Sequence, residues 1–384
     1  MQAYLKTAAT TFRAESPFTE RLKELGVPVF IGHDAKNIGD CDLIIFSAAI
    51  KPDNIERAEA KRRGIPELER SEALGQLTEG YESVVGIAGC HGKTTITSML
   101  ALICEQGGPD ATVHIGGFVD FLNGGVRLGA HDMFITEACE YVESFLTLRP
   151  TIALINNIDN DHLDYYGDME HIVAAFKKFA ALLPENGLLI GNTDDFRVHA
   201  LMAEHTGRKL SYGMKDADYT PANITYDDNG CPGFDIMFRG EKLMHIQLRI
   251  PGEHSVMNAI AAAAVAREIG ADDKCIVSAL NAFRNTRRRF EYYGERNGVK
   301  YYHDYGHHPS EIAATMKAAS NVKHNKLFCV FQCNSYTRAK TLFLNDVTCF
   351  NLADETLVPD IYPGREKDNR QRRRLYSNEK AALS

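Results

Sequence analysis

Gly86-Ile-Ala-Gly-Cys-His-Gly-Lys93-Thr94 joins an apolar run, residues 84–88, to a stretch of helical character that begins near Thr94. A glycine-rich bend between a strand and a helix turns successive backbone N–H groups toward one point, and the helix N-terminus adds its own unpaired donors. Lys93 brings a positive charge to that point, and the Thr94 hydroxyl is a potential Mg²⁺ ligand. The stretch therefore reads as a phosphate loop for a nucleoside triphosphate, within an α/β fold. Its spacing departs from G-x-x-x-x-G-K-[ST], because Ile87 stands at the first glycine position and Gly86 lies one residue earlier. A structural turn with an incidental lysine is the competing reading, which Thr94-Thr95 and the strand before the turn disfavour.

Beyond the loop, residues 133–137, 152–156 and 188–191 are strand-like. The stretch 169–183 carries Met169, Ile172, Val173, Phe176 and Phe179 at the spacing of one helical face and stops at Pro184. Strands alternating with helices predict a doubly wound, mostly parallel sheet covered on both faces. Between 209 and 250 the pattern changes to period two, and 234–238 and 243–248 flank Arg239-Gly240, which predicts an antiparallel hairpin added to the sheet. An alanine-rich helix, 257–269, closes this part before Gly270.

Upstream, strands at 27–30 and 43–46 alternate with helices at 18–25 and 54–63, a small βα layer that ends near Leu77; the polar segment 78–83 reads as a linker. Near Arg287 a further part opens, with strands at 298–302 and 327–331 around a helix at 310–319. The expected domains are 1–78, 79–285 and 286–384. The tail 369–384, with Arg372-Arg373-Arg374 and little apolar content, is expected to be loosely ordered.

Composition narrows the partners. A chain of 384 residues, 44% hydrophobic, exceeds what one core usually organises. Its net charge of -8 argues against nonspecific binding to nucleic acid or to an anionic membrane. The nine cysteines lack metal-site spacing, and neither a secretory h-region nor an apolar run of about 18 residues is present, so reduced thiols in the cytoplasm are expected. Cys329 and Cys333 lie in or beside an apolar strand without a CxxC partner, which disfavours zinc.

Glu137 ends a strand of the phosphate-loop domain, where an open α/β sheet forms its ligand crevice. The next strand leads into Asn157-Ile-Asp159-Asn-Asp161-His162-Leu-Asp164, a cluster of oxygens and an imidazole at the same edge. Thr94, Glu137 and His162, together with ATP oxygens, suffice for Mg²⁺ sites, because this ion takes few protein ligands. Taken singly, His162 reads equally well as a loop histidine and Glu137 as a solvated strand end.

The order of motifs resembles the Mur ligase family. The blocks are Gly89-Cys-His-Gly-Lys-Thr-Thr95, Glu137-Ala-Cys-Glu140 followed by Ser144-Phe-Leu146, Asn157-Ile-Asp-Asn-Asp-His-Leu-Asp164, Pro251-Gly-Glu-His254, Arg288-Arg-Phe-Glu291, Asp304-Tyr-Gly-His-His-Pro309 and Asp360-Ile-Tyr-Pro-Gly-Arg-Glu366. The resemblance implies a three-domain arrangement, with Rossmann-like outer domains around the phosphate-loop domain. It also implies an ATP-dependent ligase that joins L-alanine to UDP-N-acetylmuramate through an acyl phosphate. On that pattern Gly89, Cys90, His91, Gly92, Lys93, Thr94 and Thr95 surround the ATP phosphates, and Thr94, Glu137 and His162 hold Mg²⁺. His254 and Asn258 contact adenine, Arg289 the phosphates and Asp304 the ribose end. His307 and Arg338 receive the L-alanine carboxylate and the muramoyl end. Domain closure is then expected before chemistry. A standalone metal site at His303, Asp304, His307 and His308 is disfavoured by the shaped loop around Gly306 and Pro309.

Departures from the family pattern set further expectations. The family's opening strand and glycine-rich UDP turn have no counterpart in Met1 to Thr10, and the first matching piece starts at Ser16; a basic tail follows Glu366. The N-terminal and C-terminal domains are therefore expected to be incomplete. His303, Cys333-Asn334, Ser255 and Cys90 each replace a usual family residue. Two other activities fit the same blocks: a ligase attaching a ready-made tripeptide to the same sugar nucleotide, and an ATP-binding protein without ligase activity.

Overall fold

A computed structural model describes residues 8–11, 15–284, 289–333, 336, 339 and 348–362. The chain divides into two compact units, the first formed by Met1–Ala222, Asp235–His245 and Met257–Arg287, the second by Asn223–Phe234, Ile246–Val256 and Arg288–Ser384.

The first unit opens with β1 (Ala9–Thr11), α1 (Pro17–Glu24), β2 (Val29–Ile31), β3 (Ile44–Phe46), α2 (Ile55–Arg63), β4 (Glu67–Glu69) and α3 (Arg70–Thr78). β1 pairs in parallel with β2, and β3 with β4. Side chains start the helices: Ser16 Oγ accepts from the Thr19 amide and Asn54 Oδ1 from the Glu56 amide, while Gly64 ends α2 in the left-handed conformation. The expected layer is present, with additions at both ends. β1 precedes Ser16, where the sequence offered no piece, and β4 with α3 occupies 67–78; three-residue strands are too short to show a period.

The same unit continues through β5 (Ser83–Ala88), α4 (Lys93–Glu105), β6 (Ala111–Val119), β7 (Gly124–Arg127), β8 (Ala130–Glu137), β9 (Ile152–Ile155), α5 (Leu163–Tyr166), α6 (Met169–Ala180), β10 (Leu188–Asn192), α7 (Phe196–Glu204) and β11 (Arg208–Tyr212). β12 (Tyr219–Tyr226), β13 (Pro232–Phe238), β14 (Glu241–Gln247), α8 (Glu253–Glu268) and α9 (Asp273–Ala282) follow in the chain, residues 223–234 and 246–256 of this stretch belonging to the second unit. The ten-stranded sheet has the order β14-β13-β12-β11-β10-β9-β5-β8-β6-β7. Its run from β11 to β6 is parallel, and β7 is antiparallel to β6. The expected hairpin is present: Arg239 (φ 50) and Gly240 (φ 86) are both left-handed, as a tight turn between β13 and β14 requires.

This order creates a switch point. From β5 the chain passes to β6 on one side, and from β8 it crosses to β9 on the other, so a crevice opens beyond the carboxyl ends of β5, β8 and β9. The floor is rigid: Val85, Ile87, Ala88, Leu154 and Ile155 are fully buried. α6 packs there, started by Asp168, which accepts from the His171 amide, and it ends at Ala180, before the expected Pro184. Its Phe179 ring stacks on Phe145 at 4.8 Å. A Cβ at position 86 would stand 3.0 Å from the Phe179 ring, so the displaced glycine of the motif serves packing inside β5 rather than phosphate contact.

In the second unit, β15 (Glu291–Arg296) and β16 (Val299–His303) form a hairpin about Asn297 (φ 53) and Gly298 (φ 77). α10 (Pro309–Asn321) follows, then β17 (Phe328–Val330) paired in parallel with β18 (Glu355–Leu357). Ile312 and Met316 of α10 bury against Cys349, and Ala318 packs with Phe290 and Val322.

Candidate active site

The phosphate loop leaves β5 at Gly89 (φ 134) and enters α4 after Gly92 (φ 86). Both glycines are required by space as well as by dihedral angle. A Cβ on Gly89 would meet Asn156 Cβ at 3.0 Å, and one on Gly92 would meet Asn156 Nδ2 at 2.4 Å and Asn258 Oδ1 at 2.7 Å. Residues just past β9 hold the loop. The Cys90 amide donates to Asn157 O at 3.2 Å and the His91 amide to Asn157 Oδ1 at 2.8 Å. Asn156 Nδ2 and Asn157 Nδ2 both donate to His91 O, at 2.9 and 3.0 Å. No side chain caps α4, because its N-cap is Gly92. Its first-turn amides therefore face the crevice, the arrangement that suits an anion.

Lys93 donates to Glu140 Oε2 at 2.7 Å, to Cys90 O at 3.3 Å and to Gly89 O. Burial disfavours its ammonium, but the neighbouring Glu140 carboxylate outweighs that effect and raises the Lys93 pKa above the ordinary lysine value. The charge needed for phosphate is thus present at neutral pH. Glu140, 2% exposed, is the counter-ion of the loop lysine, a role that its place in the Glu137-Ala-Cys-Glu140 block does not reveal. Burial, reinforced by Glu140, pushes the Cys90 thiol well above its ordinary range, so Cys90 is an inert thiol.

Glu137 ends β8, and its Oε2 accepts from Thr94 Oγ1 at 3.1 Å while Oε1 accepts from the Gly116 amide at 2.7 Å. His162 lies at φ 56, its Nε2 standing 3.6 Å from Glu140 Oε1 and 3.7 Å from Asp161 Oδ2. Candidate ligand atoms of Glu140, Asp161 and His162 all lie within 4.8 Å of one another. The expected metal residues therefore fall into two groups, Thr94 with Glu137, and His162 with Glu140 and Asp161. Left-handed non-glycine residues cluster here, Val142 (φ 50) and Glu143 (φ 56) lying just past Tyr141. Tyr141 places its ring 4.7 Å from that of His162.

Asn258 is buried on α8, and its Oδ1 accepts from Asn156 Nδ2 at 3.4 Å. Among the second unit's residues, His254 sits in the first turn of α8, and Arg289, Asp304 and His307 gather near the start of α10. Glu311, which the sequence did not single out, ties two of them: Oε1 accepts from Arg289 Nη1 at 3.2 Å and Oε2 from the His307 amide at 3.1 Å. Asp304 accepts from the Phe290 amide at 2.8 Å and the Gly306 amide at 2.6 Å. Arg338 and the tail 369–384 lie outside the described residues.

Comparison with known proteins finds relatives along most of the chain. The family model "Mur ligase middle domain" matches residues 87–266, "Mur ligase family, catalytic domain" residues 12–82, and "Mur ligase, glutamate ligase domain" residues 288–372. The chain is 44% identical over 353 residues to a UDP-N-acetylmuramate–L-alanine ligase of Clostridium botulinum, covering 92% of this chain and 77% of that protein. It is 43% identical over 355 residues to its counterpart in Clostridium beijerinckii, with the same shares. Among solved structures, the UDP-N-acetylmuramate-alanine ligase of Thermotoga maritima superposes with a TM-score of 0.80 at 25% identity, over 98% of this chain and 82% of that one.

Proposed function

The chain belongs to the Mur ligase family, and on that premise we infer the roles its residues take in amide formation. The enzyme is an ATP-dependent ligase that joins L-alanine to UDP-N-acetylmuramate in peptidoglycan precursor synthesis. The observation that carries the assignment of roles is the largely buried Lys93, paired with Glu140 at an uncapped helix start, beside the strand-end carboxylate Glu137 that accepts from Thr94.

The reaction brings two anions together, ATP and the muramoyl carboxylate. Catalysis then rests on charge neutralisation and positioning, with no protein nucleophile. Lys93 and the first amides of α4 take the β- and γ-phosphates, so the γ-phosphoryl group reaches the muramoyl carboxylate to form an acyl phosphate. The amine of L-alanine attacks that carbonyl, and phosphate departs. Thr94 with Glu137, and His162 with Glu140 and Asp161, are oxygen-rich groups of the kind Mg²⁺ accepts, and they would hold ions that neutralise phosphate charge. His254 and Asn258 serve adenine, Arg289 the phosphates and Asp304 the ribose. His307 and Arg338 serve the L-alanine carboxylate and the muramoyl end.

Residues 1–78, 79–285 and 286–384 are the corresponding domains in this reading. No helix among the described residues is long and apolar enough to cross a membrane. A cytoplasmic location is part of the proposal and rests on the free cysteines. Phosphate release by the purified chain tests the assignment: it should require ATP, UDP-N-acetylmuramate and L-alanine together. Release with a tripeptide but not with L-alanine would refute it.

A further inference from the structure

Tyr212 ends β11 fully buried, two strands away from Asn156 in the sheet order. Its hydroxyl donates to Asn156 Oδ1 at 2.6 Å. A phenylalanine would supply the same packing, so the hydroxyl must be explained by what it holds. Asn156 is itself buried, and its backbone amide is fixed on Ala88 O at 2.9 Å. Only the orientation of its side-chain amide remains to be chosen.

That choice has consequences on both sides. A primary amide has one accepting and one donating end, and its terminal torsion is soft, so the two flipped orientations compete. With Oδ1 taken by Tyr212, the Nδ2 end faces His91 O at 2.9 Å and Asn258 Oδ1 at 3.4 Å. In the flipped state an oxygen would face both of those oxygens. The amide also lies directly against the loop, as the 2.4 Å approach to a Cβ built on Gly92 shows.

We propose that Tyr212 is a positioning residue for the nucleotide: by anchoring the Asn156 amide, whose orientation the acceptor-only His91 carbonyl selects, it holds that carbonyl of the phosphate loop and the Asn258 side chain together. The inference rests on the reading that this loop binds ATP. Burial, with Asp194 and Asp195 nearby, raises the Tyr212 pKa well above the ordinary value, so the hydroxyl remains a donor throughout the neutral range.

Tyr212→Phe removes one oxygen. The test measures fluorescent ATP-analogue binding and steady-state kinetics for the intact chain, for Tyr212→Phe, for Asn156→Ala and for the double variant. The expected result is an increase of about tenfold in the nucleotide dissociation constant and in KM for ATP for Tyr212→Phe, the size of one well-placed hydrogen bond. The kcat and the KM values for L-alanine and UDP-N-acetylmuramate should stay within about twofold. Asn156→Ala should weaken ATP at least as much, and adding Tyr212→Phe to it should change nothing further. A lowered melting temperature with unchanged ATP binding would mean a structural role only and would overturn the inference. Normal ATP binding by Asn156→Ala, or additive losses in the double variant, would overturn it as well. If the unaltered chain bound no nucleotide, the phosphate-loop reading would fall first, and this inference with it.

Discussion

Replacing Gly92 by alanine separates two costs that a phosphate loop combines. The first is dihedral: at φ 86 an L-residue is disfavoured by about 1–2 kcal/mol. The second is collision, because the added Cβ would stand 2.4 Å from Asn156 Nδ2 and 2.7 Å from Asn258 Oδ1. Neither atom can yield freely, since Asn156 is held by Tyr212 and His91 and both asparagines are buried. Moving Asn156 breaks at least one buried hydrogen bond, at about 1–3 kcal/mol. The sum for Gly92→Ala is roughly 2–5 kcal/mol, adding the two ranges. Gly107 is the control: its φ of 103 carries the dihedral cost, but nothing lies within 4 Å of its Cβ position. Gly107→Ala should therefore cost about 1–2 kcal/mol. Urea unfolding of both variants, read at the midpoint with the slope held common, measures the difference. Equal destabilisation would refute the reasoning, because the packed asparagines would then contribute nothing.

Other outcomes follow from the same geometry. Glu140→Gln leaves the Lys93 ammonium largely buried without its counter-charge and should cost about 3–5 kcal/mol in chemical denaturation. Because Glu140 raises the Lys93 pKa, the stabilisation of the pair is complete below the unfolded lysine value and is lost only as pH rises through the folded one; the loss on mutation should be full at pH 7. Cys104 tests alkaline linkage: burial pushes its thiol from an ordinary 9.0 up to about 11, so stability should fall by about 1.4 kcal/mol per pH unit across that window, and Cys104→Ala should remove that slope in a pH series of denaturation curves. Glu137→Gln, which keeps the shape but not the charge beside Thr94, should lower kcat about 100-fold and raise the Mg²⁺ concentration needed for half-maximal phosphate release.

Local chemistry was legible in the chain wherever a turn or a period carried it. Glycines before Lys93 marked the loop, the face of Ile172, Phe176 and Phe179 marked α6, and Arg239-Gly240 marked the β13–β14 turn. Asn297-Gly298 was an equally strong turn signal, but the register shift between Tyr292 and Gly294 breaks the alternation of β15, and only β16 was foreseen. Partner choice was less legible, because it depends on which strand tips the sheet order brings together. Glu140 lies in the same block as Glu137, yet only the turn after β8 decides that one faces Lys93 and the other Thr94. Tyr212 and Asn156 are 56 residues apart and carry no motif, so their hydrogen bond exists only once β11, β10 and β9 are laid side by side.

Calorimetric titration of the purified chain with ATP in excess magnesium, repeated on Lys93→Met, is the most direct measurement of the nucleotide site. One nucleotide should bind per chain of the unaltered protein, and the variant should lose about 100-fold or more in affinity, as expected when a phosphate loses its buried cationic partner. Equal affinity in the two proteins, or uptake by neither, would contradict the account.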